Sequence, residues 1–173
     1  MRNYQLFLLG LLVFLTGLYA GQMFHEMIGA QGALQPLDDH TYIVYWQSLD
    51  KLMHVRMPFM SNFLLLIFAV NLIVLRHYRN TWFYWAMLTS FVCLVAETLV
   101  TVLLQLPINA QVQNLNPSHL PASVASLKTA TLMHFITRAI LRFIGFILLI
   151  IATFKLLTAS ILRHPLVPGN KIN

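Results

Sequence analysis

Residues 81–106 read TWFYWAMLTSFVCLVAETLVTVLLQL, a stretch in which Glu97 is the only charged side chain. An α-helix rises about 1.5 Å per residue, so this run exceeds the ~20 residues needed to cross a ~30 Å hydrocarbon core. Three more apolar runs accompany it, at about residues 4–27, 58–75 and 136–157. The 173-residue chain is 58 % hydrophobic and only 9 % charged, too apolar for a soluble domain. The expected fold is all-α: one integral membrane four-helix bundle over residues 1–173, its longer connections at residues 28–57 and 107–135.

The net charge of +6 raises nucleic acid as a partner, but the eleven Lys and Arg are scattered and several sit where a membrane protein carries orientation signals. Lipid is the expected partner, and nucleic acid is not. Cys93 is the single cysteine, which excludes an intramolecular disulfide and dithiol redox chemistry. Met1-Arg2-Asn3 ahead of an apolar run resembles a signal peptide, but the run continues through Gly21 to Met27 and is read as a retained span.

Arg2, Arg76, Arg79, Lys155, Arg163 and Lys171 flank one set of helix ends, against Lys51, Arg56 and Lys128 on the other, where Asp38, Asp39 and Asp50 offset them. By the positive-inside rule both termini are expected in the cytoplasm, in a bacterial cytoplasmic membrane. Trp82, Tyr84 and Trp85 then open the third span at the inner interface.

Within the first outer segment, Tyr42, Tyr45, Trp46, Leu49 and Met53 recur at three- and four-residue spacing after a cap at Asp38 or Asp39. This predicts an amphipathic helix that lies on the membrane or closes the bundle as a lid. The second outer segment starts Pro107-Ile108-Asn109, which reads as a turn, and from Ala122 a helix is expected to run unbroken into the last span.

Ionisable groups inside spans are costly and normally face the bundle interior. Ser90, Cys93, Glu97, Thr101 and Gln105 form one polar or small stripe on the third span; His134, Arg138 and Arg142 share a face of the fourth. Gly17 and Gly21 form a packing face on the first span, with His25 one turn further along. Glu97, His25, His134, Arg138 and Arg142 fall in the outer half. The plainest reading of Glu97 is an ion pair with Arg138 or Arg142; a carboxylate held between Arg and His also suits a general base. Arg138 can alternatively snorkel to the headgroups. His25, Glu26 and His54, with Glu97 and His134 in the same layer, are candidate ligands for a transition metal, although no repeated ligand spacing marks them. His40, His77, His119 and His164 read as solvated, and Asn109 as either a turn residue or a ligand contact.

In layout, most of the chain resembles the small four-span membrane proteins that include the fungal anthrone oxygenases. The resemblance rests on Leu106-Pro107-Ile108-Asn109 after the third span, a polar segment leading to Arg138 at the head of an apolar last helix, and a glycine-bearing first span before a long outer loop. It implies an oxidoreductase inserting oxygen into an activated ring, with Asn109 and Arg138 in the site. His134 departs from the family, which often has a Trp and a polar residue nearer that Arg. The chain is thus expected to act on a lipophilic or aromatic small molecule, with Glu97, His134 and Arg138 catalytic and Asn109, Arg142 and Trp46 binding substrate. The alternative is a non-enzymatic bundle that binds a ligand, transports it or stabilises a partner.

Overall fold

The computed structural model describes residues 2–163, with side chains through Thr158; His164, Lys171 and the side chain of Arg163 lie outside the described residues. Four long helical runs make up the chain, all long and apolar enough to cross a membrane, and no strand occurs among the described residues. The protein is a multi-pass integral membrane protein, and the expected all-α four-helix bundle is its fold.

Helix α1 (Asn3–His25) passes through a wide π turn at Glu26–Ala30 into the short α2 (Gln31–Leu34). Helix α3 covers Asp39–Val74, and α4 (Trp82–Val100) continues through a second π turn, Thr101–Gln105, into α5 (Leu106–Gln113). Helix α6 runs from Val124 to Arg163 without interruption, as the absence of Gly and Pro before Gly145 predicts. At about 1.5 Å per residue, the 32-residue run Asn3–Leu34 is about 48 Å long, well beyond the hydrocarbon thickness. The excess stands at the end where α2 meets α3 and α5 meets α6, here called the cavity end. The opposite, terminal end carries Arg2 and the short turn between α3 and α4.

Two boundaries differ from expectation. The segment 28–57 is helical except for a tight turn at 35–38, after which the Asp38 carboxylate caps α3 by accepting the Thr41 amide at 3.0 Å. Pro58 sits inside α3 instead of starting a span. Pro107 likewise does not open a turn; Asn109 is helical, because the π turn immediately before it absorbs the ring that would otherwise strike the preceding carbonyl.

The lid stripe rolls inward and does not lie on the membrane: Tyr42, Ile43 and Trp46 are buried against Val112, Val124 and Phe135 in a small core at the cavity end, while Tyr45 is exposed. A larger core of Leu9, Leu12, Phe68, Met87 and Leu149 fills the terminal half. There Asn71 donates to the carbonyls of Leu8 at 3.2 Å and Ile67 at 2.9 Å, tying α3 to α1. Helices α4 and α6 pack most closely. Ser90 donates to the carbonyl of Gly145 at 2.7 Å, and a Cβ at Gly145 would lie 3.2 Å from that of Cys93. Gly17 meets the Phe146 ring in the same way, at 3.1 Å, whereas Gly21 has open space beside it and takes no part in packing.

Candidate functional site

The stripe on α4 turns inward as its spacing requires, and Ser90, Glu97 and Gln105 are buried. Glu97 stands about 22 Å along the helix from Trp82, in the half nearer the cavity end. Helix α6 brings two arginines to it. Arg138 donates from Nε to one carboxylate oxygen at 2.9 Å, and Arg142 donates from a terminal nitrogen to the other. Glu97 is 1 % exposed, Arg142 2 % and Arg138 8 %, so three charges share a water-poor interior. Taking the carboxylate out of such a group would leave buried guanidinium groups uncompensated, at a cost of about 3–5 kcal/mol.

The two arginines differ in what lies on their other side. Arg142 is enclosed, its guanidinium 3.9 Å from the centre of the Tyr19 ring. Arg138 forms part of the wall of a cavity of about 330 Å³. Among the described residues its terminal nitrogens have no side-chain partner, because only its Nε engages Glu97. The triad carries two positive charges and one negative, so the surplus cation is presented to the cavity.

Around the cavity stand Glu26 from the π turn after α1, Trp46, Asp50, His54 and Pro58 from α3, Thr101 and Gln105 from the π turn after α4, and Asn109 from α5. Each of the three helices therefore breaks its regular hydrogen bonding at the cavity. Pro58 has no amide hydrogen to give, and π turns widen the backbone; both are common ways of re-aiming side chains at a site. On the side toward the cavity end, Asn109 joins the helices. It donates to Asp50 at 2.6 Å and accepts from Gln105 at 2.8 Å and from the Trp46 indole at 3.3 Å. Gln113 occupies the other Asp50 oxygen at 3.0 Å, and Gln47 donates to the carbonyls of Val112 and Leu115.

Of the residues expected in the site, Arg138, Asn109, Trp46, Glu26 and His54 share the cavity wall. Glu97 and Arg142 lie behind Arg138, both Glu97 oxygens engaged by guanidinium groups. His134 and His25 are not on the wall, and His25 is exposed on the surface. The proposed metal cluster does not assemble: among the described residues no three His, Cys, Asp or Glu side chains come together as ligands. His25 turns outward because it lies on the same face of α1 as exposed Gly21, one turn earlier, while Glu26, the next residue round the helix, reaches the cavity wall.

Asp50, Gln47, Gln105 and Gln113 are the residues that sequence reasoning missed as a network. Asp50 reads in sequence as a loop charge, since the unbroken α3 that carries it inward runs through a proline. A signal was present in Gln47 and Asp50, which continue the helical spacing of the stripe from Tyr42. His40, His77 and His119 are exposed, in agreement with a solvated role.

No family model, no curated protein and no solved structure matches the chain.

Proposed function

We propose that this protein binds a lipophilic or aromatic small molecule inside the membrane, holding the polar group of its ligand against Arg138. The observation that carries this reading is the half-used guanidinium: Arg138 is fixed by Glu97 through Nε and lines a 330 Å³ cavity whose wall also carries Met, Leu and aromatic side chains. Apolar walls with a few convergent polar groups are the usual composition of a small-molecule site. The ligand's acceptor, a carbonyl, phenolate or carboxylate, gains a charge-assisted hydrogen bond at Arg138.

Trp46 on the wall supplies a readout. Titrating the purified protein with 1-naphthol is expected to quench tryptophan fluorescence saturably, and Ser61→Phe, which fills the cavity, is expected to abolish the effect at unchanged thermal stability. Unsaturable quenching, or quenching that survives Ser61→Phe, removes the reading.

A catalytic role is the second reading, favoured by the presence of His54 and Glu26 on the same wall as Arg138. An oxygenase-like enzyme of the anthrone oxygenase kind needs a base to deprotonate an activated C–H and a cation to hold the resulting oxyanion. His54 or Glu26 suits the first task better than Glu97, whose oxygens are occupied, and Arg138 suits the second. Dioxygen uptake upon adding an anthrone, lost in His54→Ala or Glu26→Gln, is the expected signature.

The charge distribution supports a bacterial cytoplasmic membrane with both termini in the cytoplasm. Arg2, Arg76, Arg79 and Lys155 flank the terminal end, while at the cavity end Lys128 is paired with Asp39 at 2.8 Å. With Cys93 replaced by Ala, a cysteine at exposed Ser118 is expected to react with an impermeant maleimide in intact cells; labelling only after lysis reverses the orientation.

A further inference from the structure

Two opposite charges face the cavity without neutralising each other. Arg138 and Glu26 both stand on its wall, yet the ion pairs among the described residues are Lys128 with Asp39 and the two guanidinium contacts of Glu97. Asp50, the other wall carboxylate, already accepts from Asn109 and Gln113, so among the described residues Glu26 is the wall acid left without such partners. A separated cation and anion lining one water-poor space complement a molecule that carries the opposite pair. A purely anionic head would meet Glu26 as a repulsive neighbour, and a neutral head would leave both charges unanswered.

The cavity also has a side opening. Val102 and Leu106, in and after the second π turn, line it while remaining 49 % and 43 % exposed, and His54 and Pro58 across from them on α3 are exposed as well. The gap between α3 and the α4–α5 run therefore leads out of the bundle between Val102 and Leu106 on one side and Pro58 and His54 on the other. A ligand with a charged head and long apolar chains fits a cavity that holds a few charged groups and opens sideways between helices.

We infer that the cavity takes a zwitterionic phospholipid from the bilayer, with its phosphate on Arg138 and its ammonium on Glu26, the acyl chains leaving between α3 and the Thr101–Gln105 turn. The inference rests on the ligand-binding reading above and names its ligand class. Arg138 gives the phosphate charge-assisted hydrogen bonds, and Glu26 separates this lipid from one with the same phosphate but no cation.

The test is a lipid titration of the purified full chain in maltoside micelles, read by native mass spectrometry with chain-matched phosphatidylethanolamine, phosphatidylglycerol and diacylglycerol. The wild type is expected to hold phosphatidylethanolamine roughly tenfold more tightly than either of the others, the scale of one hydrogen bond to a charged group. Glu26→Gln keeps the shape, removes no protein ion pair, and is expected to weaken phosphatidylethanolamine and strengthen phosphatidylglycerol until the two bind alike. Equal binding of the two phospholipids by the wild type, stronger binding of diacylglycerol, or a preference that survives Glu26→Gln each overturns the inference. Ser61→Phe distinguishes this failure from a broader one. If the zwitterion preference is missing but Ser61→Phe still blocks 1-naphthol, the ligand class alone falls; if Ser61→Phe changes neither, the cavity reading falls with it.

Discussion

The terminal half and the cavity half of the bundle are built from the same four helices but solve different problems. In the terminal half, Leu9, Leu12, Phe68, Met87 and Leu149 pack into one core, and the side-chain amide of Asn71 donates to backbone carbonyls of α1 and α3. In the cavity half, Arg138 and an amide network line a cavity, with Glu97 and Arg142 buried behind Arg138. Lipid is as apolar as the core, so dense packing and hydrogen bonds, rather than water exclusion, hold the first half together. The second half spends that packing on a hollow whose walls must be held by charge.

The comparison breaks most visibly at Glu97. Glu97→Ala leaves two buried guanidinium groups uncompensated and is expected to lower stability by about 3–5 kcal/mol, measured as the thermal midpoint in detergent. A loss near zero would mean that the cavity half is wet and the triad ornamental. Next comes the α4–α6 seam. Gly145→Val drives a side chain into Cys93 and the Ser90 carbonyl, and a loss of about 1–3 kcal/mol is expected. The matched control is Gly21→Ala, where a Cβ meets nothing within 4 Å; unchanged or slightly raised stability is expected from the better helix former.

Smaller effects sharpen the picture at the cavity end. Lys128→Met removes the pair with half-exposed Asp39 and the hydrogen bond from buried Lys128 to the Leu37 carbonyl at 2.8 Å, and a loss of about 1–2 kcal/mol is expected, only its ion-pair share shrinking with salt. The Asp38 carboxyl is held below its usual value by the Thr41 amide it accepts from. A group depressed in the folded state contributes stability that is present above its unfolded value of about 3.9 and is lost as pH falls through the folded value. Acid melts below about pH 4 are therefore expected to lose a small increment that Asp38→Asn does not lose.

Glu97 and Arg138 were legible as a pair because a charge inside a span must find its opposite, and helical spacing turned both inward. Asn109 and Trp46 were legible as candidates, but not as neighbours, since nothing in the spacing of Pro107 shows that a π turn will carry the helix through it. His25 and Glu26 show the limit most clearly. They are adjacent in sequence, and the backbone decides which of the two faces the cavity.

The sequence by itself determined the four spans, the membrane as solvent, a cap at Asp38 or Asp39, the unbroken last helix and the need for a buried ion pair. These follow from run length, local capping chemistry and the cost of bare charge in lipid. Tertiary structure alone decided that α3 runs through Pro58, that the Tyr42–Trp46 stripe closes the bundle, that Asp50 joins Asn109 and Gln113, and that the histidines do not gather. Each depends on how irregular turns rotate one helix against another, and a small rotation moves a side chain from lipid to cavity without leaving a trace in composition or spacing.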